Sequence, residues 1–292
     1  MSTFGVQLGA SEGAGGIGWR VREGGGSVEL RNVDDFCVPR YPRGVSLRAK
    51  DSWGFRLAPQ RWPSLFRAVR ESPDDVVLGA KVFFSIGGHD EKPTYRRFLR
   101  TDVGAAMVRN RTAYPALFTD DDALRGLPDG TLGREYIREL DARGIHPREL
   151  SRLTDLAYED YEFSPDHAYV RDRVREAHDL YHTLTGYGVD VAGEAGVLAF
   201  TFAQTGNKGW AMLVLLNTMS GLTTGRFDGV VVAIKGYRRG RRARFLPAVH
   251  DWDRLLRAPL EEARAELGIT PMDPYRPIEL GEVFRDVSKE AP

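Results

Sequence analysis

The chain has 292 residues, and its 41 basic and 41 acidic residues balance, so no net charge calls for nucleic acid or an anionic surface. That length supports one large domain or two modest ones with ample core. A single Cys, Cys37, excludes an internal disulfide and any multi-thiolate metal site, and no apolar run is long enough to span a bilayer.

Residues 1–45 differ from everything after them. Gly5, Gly9, Gly13, Gly15, Gly16, Gly18 and Gly24-Gly25-Gly26 are too dense for a helix. Gly13-Ala14-Gly15-Gly16-Ile17-Gly18 has neither the preceding hydrophobic strand nor the following helix and acid of a dinucleotide loop. The start reads as neither a signal nor a transit peptide. We expect a Gly-rich irregular leader, flexible or loosely packed, with at most local pairing of pieces such as Val28-Glu29-Leu30, ahead of one helical domain over 46–292.

From Trp53 the pattern turns helical. Trp62 to Val69 begins one helix, and Ser72-Pro73-Asp74-Asp75 caps a second that carries Val76, Val77, Ala80, Val82, Phe83 and Phe84. Gly87-Gly88-His89-Asp90 reads as a loop, because His89 has no second His at helical spacing. Phe98 to Asn110 reads as a short helix. Asp120-Asp121-Asp122 precedes Ala123-Leu124 and so reads as a cap rather than a magnesium site. Thr131 is the expected N-cap of a helix whose buried face carries Ile137 and Leu140, continued by Leu150, Leu153 and Leu156.

Tyr169 to His182 has no Gly or Pro and reads as one helix. His178 and His182 are i and i+4, so their rings share a face, with Asp179 at its edge. Gly186 and Gly188 supply a turn, and Val191 opens a second helix with Glu194 in its first turn. If the two helices run antiparallel, Glu194 points back at both imidazoles. Two imidazoles and two carboxylates at one point make a metal site of nitrogen/oxygen type. A satisfied polar histidine on a helix is the alternative for either His alone.

Beyond Glu194 come Val197, Leu198, Phe200, Phe202 and Ala203, then a very apolar helix from Trp210 to Leu216. Gly229 to Ile234 is helix or buried strand, which periodicity does not decide. Gly236 to Arg244 holds the one basic cluster. It reads as an inter-helix loop or as a contact for anionic lipid headgroups through Arg238, Arg239, Arg241 and Arg242. Acids after Pro259 and Gly268 at the far end frame a last helix.

These residues resemble the ubiquinone (coenzyme Q) biosynthesis protein 4 family. His178-Asp179-x-x-His182, eleven residues, then Glu194 looks like its metal motif, with Arg171, Arg175-Glu176, Leu184-Thr185-Gly186 and Ala192-Gly193-Glu194 around it. Leu127 to Tyr136 and the Pro259 to Ile269 ending are similar to it as well, so the resemblance spans about residues 50 to 272. It implies an all-α domain with the metal between two antiparallel helices, held by His178, Asp179, His182 and Glu194. Zinc is the first expectation, with iron, cobalt or manganese as alternatives. The implied role is removal or replacement of the C1 carboxylate of a prenylated hydroxybenzoate-type quinone precursor, a metal-dependent decarboxylase or lyase activity.

Arg171, Arg175 and Asp179 fall at i, i+4 and i+8 of the expected helix. Our reading gives Arg175 the orienting of Asp179, an expected catalytic residue, and gives Arg171 the substrate carboxylate; a structural salt-bridge column is the alternative. Val197, Phe200, Ala203, Leu213 and Leu216 are the expected wall of a groove for the prenyl tail. The expected location is cytoplasmic, peripheral on the inner face of the membrane, with other quinone-biosynthesis proteins or a second copy of the chain as partners and no nucleic acid. Two other classes stay open: a non-catalytic lipid-binding scaffold of a quinone-making complex, and a metal-dependent hydrolase.

Overall fold

The computed structural model describes residues 57–72, 76–144, 155, 163–222, 225–279 and 283, together with three strand segments between residues 10 and 30. Met1–Ser46 and Leu47–Pro292 form separate compact units.

In the first unit, β1 (Ala10–Ser11), β2 (Gly18–Glu23) and β3 (Gly26–Leu30) make an antiparallel sheet in the order β1-β2-β3. Val21 pairs with Val28 and Glu23 with Gly26. Val28-Glu29-Leu30 lies in β3, in the local pairing expected of it. Ladder hydrogen bonds need only backbone, so glycine richness does not prevent them.

The second unit is helical. Its helices are α1 (Trp62–Glu71), α2 (Val76–Ser85), α3 (Lys92–Phe98), α4 (Asp102–Asn110), α5 (Asp121–Arg125), α6 (Leu132–Arg143) and α7 (Pro165–Glu176). There follow α8 (His178–Thr185), α9 (Val191–Thr205), α10 (Lys208–Leu222), α11 (Asp228–Arg242), α12 (Trp252–Arg257) and α13 (Leu260–Leu267). Asp120 and Thr131 cap α5 and α6 as expected, each accepting a first-turn backbone N–H. Leu150, Leu153, Leu156 and the Pro73-Asp74-Asp75 cap lie outside the described residues.

Several boundaries differ from the sequence reading. Phe98 closes α3 instead of opening α4, because the Thr101 hydroxyl takes the Gly104 N–H and starts a new helix there. Gly229 to Ile234 is helix, the first half of α11. The basic cluster is the last turns of that helix up to Arg242, not a loop. The expected single helix from Tyr169 to His182 is broken at Ala177, whose backbone (φ −87°, ψ −4°) separates α7 from α8.

One apolar core joins α6, α8, α9 and α12 through Leu132, Tyr136, Ile137, Leu140, Leu180, Tyr181, Phe200 and Trp252, all essentially inaccessible. Each such side chain contributes about 1.5–3 kcal/mol by leaving water. Val197, Phe200 and Ala203 are buried in the helix packing, with Val197 and Phe200 in this core. They are therefore not the groove wall expected of them. Helices α9 and α11 cross closely: a Cβ on Gly236 would stand 2.2 Å from the Gly196 carbonyl oxygen, so only glycine permits the contact. Apolar side chains are exposed instead on the outer faces of α10 and α11, at Leu215, Met219, Leu222, Val231 and Ile234. No helix among the described residues is long and apolar enough to cross a membrane.

Candidate metal centre

Helix α8 ends at Gly186, which takes the left-handed conformation (φ 76°) that reverses the chain at little cost to glycine. The last carbonyls of α8 find a donor in α13: the Arg264 guanidinium donates to Thr183 (2.8 Å) and Leu184 (2.9 Å). Asp190 then starts α9, accepting the Ala192 and Gly193 N–H groups on one oxygen. The same carboxylate accepts the Tyr275 hydroxyl (2.6 Å) and the Ile278 N–H (3.0 Å), pinning the C-terminal segment across the start of α9. These contacts fix where Glu194 stands, one turn into α9.

The three side chains converge. His182 Nε2 lies 3.3 Å from Glu194 Oε1 and His178 Nε2 lies 3.8 Å from Glu194 Oε2. The two rings are 5.1 Å apart and nearly perpendicular. One ligand atom from each of His178, His182 and Glu194 falls within 4.8 Å of the other two. His182 Nδ1 donates to the Tyr187 carbonyl at 3.0 Å, which leaves Nε2 with its lone pair toward Glu194. His178 Nδ1 is buried and has no partner among the described residues.

Electrostatics favour the ligand forms of His178 and Glu194 and oppose that of His182. Burial pushes the His178 pKa down, keeping the ring neutral. Burial also opposes charge on His182, but the Glu194 charge and hydrogen bond outweigh it and the net shift is upward. For Glu194, burial raises the carboxyl, and the charge and hydrogen bond of His182, the charge of His178 and that of Arg143 together hold it below its ordinary value. An ionised carboxylate and two imidazoles with one ligand atom each inside 4.8 Å fit a divalent ion of the zinc type. Binding there displaces the proton that His182 and Glu194 otherwise share.

Asp179 stands outside this triad. Its Oδ1 faces Arg143 Nη1 at 3.4 Å, from the last turn of α6. One turn on, Thr183 donates to Glu139 at 2.7 Å, so α6 and α8 are joined at two successive turns. The expected column of Arg171, Arg175 and Asp179 is interrupted by the break at Ala177. Arg175 pairs with Asp155 and Asp172 rather than with Asp179. Arg171 places its fork on Asp172, at 2.8 and 2.6 Å, and lies over the Phe163 ring.

Arg143, the Tyr187 carbonyl and Trp210 were not legible in the sequence as parts of this site. Trp210 stacks on His178 with ring centroids 6.0 Å apart and planes 8° from parallel. Arg143 carries no local mark, since its role depends on α6 lying against α8. The Gly-Glu spacing could at most have hinted at Tyr187, which sits inside the turn between the ligands.

A second polar cluster lies at the Gly87–Glu91 turn. His89, Asp90 and Glu91 are all buried, as is His167 of α7. Glu91 accepts from Thr94 (2.7 Å) and from Asn207 (3.0 Å), and Asn207 also donates to the Gly88 carbonyl. Burial raises Glu91 to about 7 and lowers His167 to about 4.

Comparison with known proteins places the fold and site in context. The family model "Coenzyme Q (ubiquinone) biosynthesis protein Coq4" matches residues 92–273. The mitochondrial ubiquinone biosynthesis protein COQ4 of Yarrowia lipolytica is 29% identical over 196 residues, 66% of this chain and 70% of that protein. The homologue of Danio rerio is 32% identical over 62% of this chain and 65% of its own length. That of Podospora anserina is 35% identical over 59% and 54%. The chain thus spans between about half and 70% of these relatives. A crystal structure from Nostoc punctiforme, of a protein provisionally assigned to ubiquinone biosynthesis, superposes with a TM-score of 0.56 at 25% identity, covering 73% of this chain and 97% of that one.

Proposed function

The chain belongs to the coenzyme Q (ubiquinone) biosynthesis protein Coq4 family, and from that premise we propose that it is a metal-dependent enzyme that removes or replaces the C1 carboxylate of a prenylated hydroxybenzoate-type precursor. The observation that carries this reading is the convergence of His178, His182 and Glu194 within 4.8 Å on two helices. A divalent ion bound there supplies Lewis acidity toward an oxygen on the ring. Tyr187, through His182 Nδ1, sets the tautomer of that ligand. Glu194 brings the compensating negative charge at the helix N-terminus, where the α9 dipole favours it. Asp179 acts as a carboxylate beside the triad, tied to Arg143. Removal of the carboxylate releases carbon dioxide and puts a proton from solvent on C1; oxidative replacement consumes dioxygen, one oxygen atom going to C1 and the other to water, releases carbon dioxide and leaves the 4-hydroxy ring as its quinone.

A structural zinc is closed by four protein ligands, whereas a catalytic one keeps a position open. Three convergent ligands, with Asp179 turned to Arg143, favour the enzyme over the scaffold. The tail of the substrate has a candidate seat. A cavity of about 300 Å³ is lined by the apolar Phe227, Val231, Val232 and Pro274, by Tyr187 and Tyr275, and by the charged Asp228, Lys235 and Asp273. Tyr187 belongs to both places: its carbonyl holds His182 and it lines the cavity. The test is turnover of a carboxylated, prenylated phenol by metal-loaded protein, in air and without oxygen. Consumption of the acid with release of carbon dioxide is expected; a fully loaded protein that never consumes it leaves the scaffold as the better reading.

A further inference from the structure

We propose that Arg143 is the anchor for the anionic group of the substrate at this centre, which rests on the reading above and names the residue that recognises the carboxylate. Three observations meet on it. The first is valence. Arg143 Nε donates to the Glu139 carbonyl at 3.2 Å and Nη1 reaches Asp179 at 3.4 Å, while Nη2 makes no hydrogen bond among the described residues. A contact of 3.4 Å is at the outer limit of a hydrogen bond, so Asp179 holds the guanidinium loosely. An incoming carboxylate that displaces Asp179 from Nη1 meets Nη1 and Nη2 together, the parallel two-point contact that the planar fork matches.

The second is access. The side chains of His178, Glu194 and Arg143 are 23%, 29% and 20% exposed, whereas His182 is 3% exposed. The reachable part of the centre is the part that includes Arg143. The third is elimination. Arg171 is tied to Asp172 through Nε and Nη2 at 2.8 and 2.6 Å, and Arg175 is engaged by Asp155 and Asp172, so both have a closer acidic partner than Arg143 has in Asp179. Charge agrees: with a dication bound, Glu194 leaves one positive charge uncompensated, and the Arg143–Asp179 pair adds none. The centre therefore attracts a monoanion.

Isothermal titration of the zinc-loaded full chain with 4-hydroxybenzoate and with its neutral isostere 4-hydroxybenzamide tests this. Wild type binds the benzoate more tightly than the amide. Arg143→Gln loses about ten- to hundredfold of benzoate affinity, the range of a charge-assisted hydrogen bond, with amide affinity and zinc content unchanged. Arg143→Lys, which keeps the charge but not the fork, recovers part of the loss. Benzoate binding at wild-type strength in Arg143→Gln overturns the Arg143 assignment and leaves the carboxylate reading standing. Loss of zinc in Arg143→Gln also overturns it, making Arg143 a support of the site through Asp179. A wild type that does not prefer benzoate to amide overturns the carboxylate reading and the anchor with it.

Discussion

Glu91 and Glu194 each stand among polar side chains of the helical unit, and their surroundings differ in what the carboxylate oxygens face. Glu91 is 2% exposed and its oxygens meet donors, the Thr94 hydroxyl and the Asn207 amide. Glu194 faces two imidazole nitrogens, atoms that are acceptors when the rings are neutral. The first cluster is closed by the protein itself and joins the start of α3 to the start of α10. The second is complete only with a cation or a shared proton between its members. The two are neighbours through one helical turn, since Asn207 binds Glu91 and Trp210 stacks on His178. Polar groups that the fold consumes and polar groups that it leaves over are thus separated by geometry, not by residue type.

The largest effect expected from this contrast is on metal content. Purified protein should carry about one divalent ion per chain, and His182→Ala or Glu194→Ala should abolish it, whereas Glu91→Gln should leave it intact. Metal analysis by mass spectrometry decides. A wild type without metal in chelator-free buffer breaks the contrast, as does a Glu91→Gln protein that loses its ion. Affinity should also fall as pH drops, because His182, shifted upward, must give up its proton to bind. Asp179→Asn, which alters a carboxylate tied to Arg143 and not to a ligand, should weaken metal affinity less than either alanine. Retention of metal as tight as wild type would remove Asp179 from the centre.

Next in size are two opposing pH dependences of stability. Glu91 is raised from 4.5 to about 7, so its contribution is full below pH 4.5 and is lost as pH rises through 7. His167 is lowered from 6.5 to about 4, so its contribution is full above pH 6.5 and is lost as pH falls through 4. Each shift corresponds to about 3 kcal/mol, with opposite slope over nearly the same window. The two largely offset in wild type. Denaturant unfolding of Glu91→Gln between pH 4 and 7 should therefore gain stability with rising pH relative to wild type, and His167→Asn should lose it. Parallel curves for all three proteins would contradict the burial of these groups.

The smallest effect sharpens the contrast among arginines of one helix. Arg239 is buried and gives its guanidinium to the Thr270 carbonyl, while Arg238, Arg241 and Arg242 are exposed. We expect these three, beside the apolar outer face of α11, to hold the protein on anionic vesicles by about 1 kcal/mol each, screened by salt. Their replacement by Ser should lower vesicle binding in sedimentation assays, and Arg239→Ser should lower stability instead. Equal partition onto neutral and anionic vesicles would end the docking proposal.

The sequence by itself determined the helical class, the caps at Asp120 and Thr131, the shared face of His178 and His182 and the place of Glu194 in the first turn of the next helix. Those features are local: i, i+4 spacing, a glycine turn and a capping side chain act within a few residues and leave a periodic trace. Tertiary structure alone decided the rest. The break at Ala177 took Arg175 away from Asp179, and packing of α6 on α8 put Arg143 in its place. The same packing buried Val197 and Phe200 in the core and turned Arg239 inward. An arginine or a phenylalanine carries no local sign of which neighbour it will meet. That partner comes from a helix tens of residues away, and the burial and pairing energies that choose it exist only once the helices are packed.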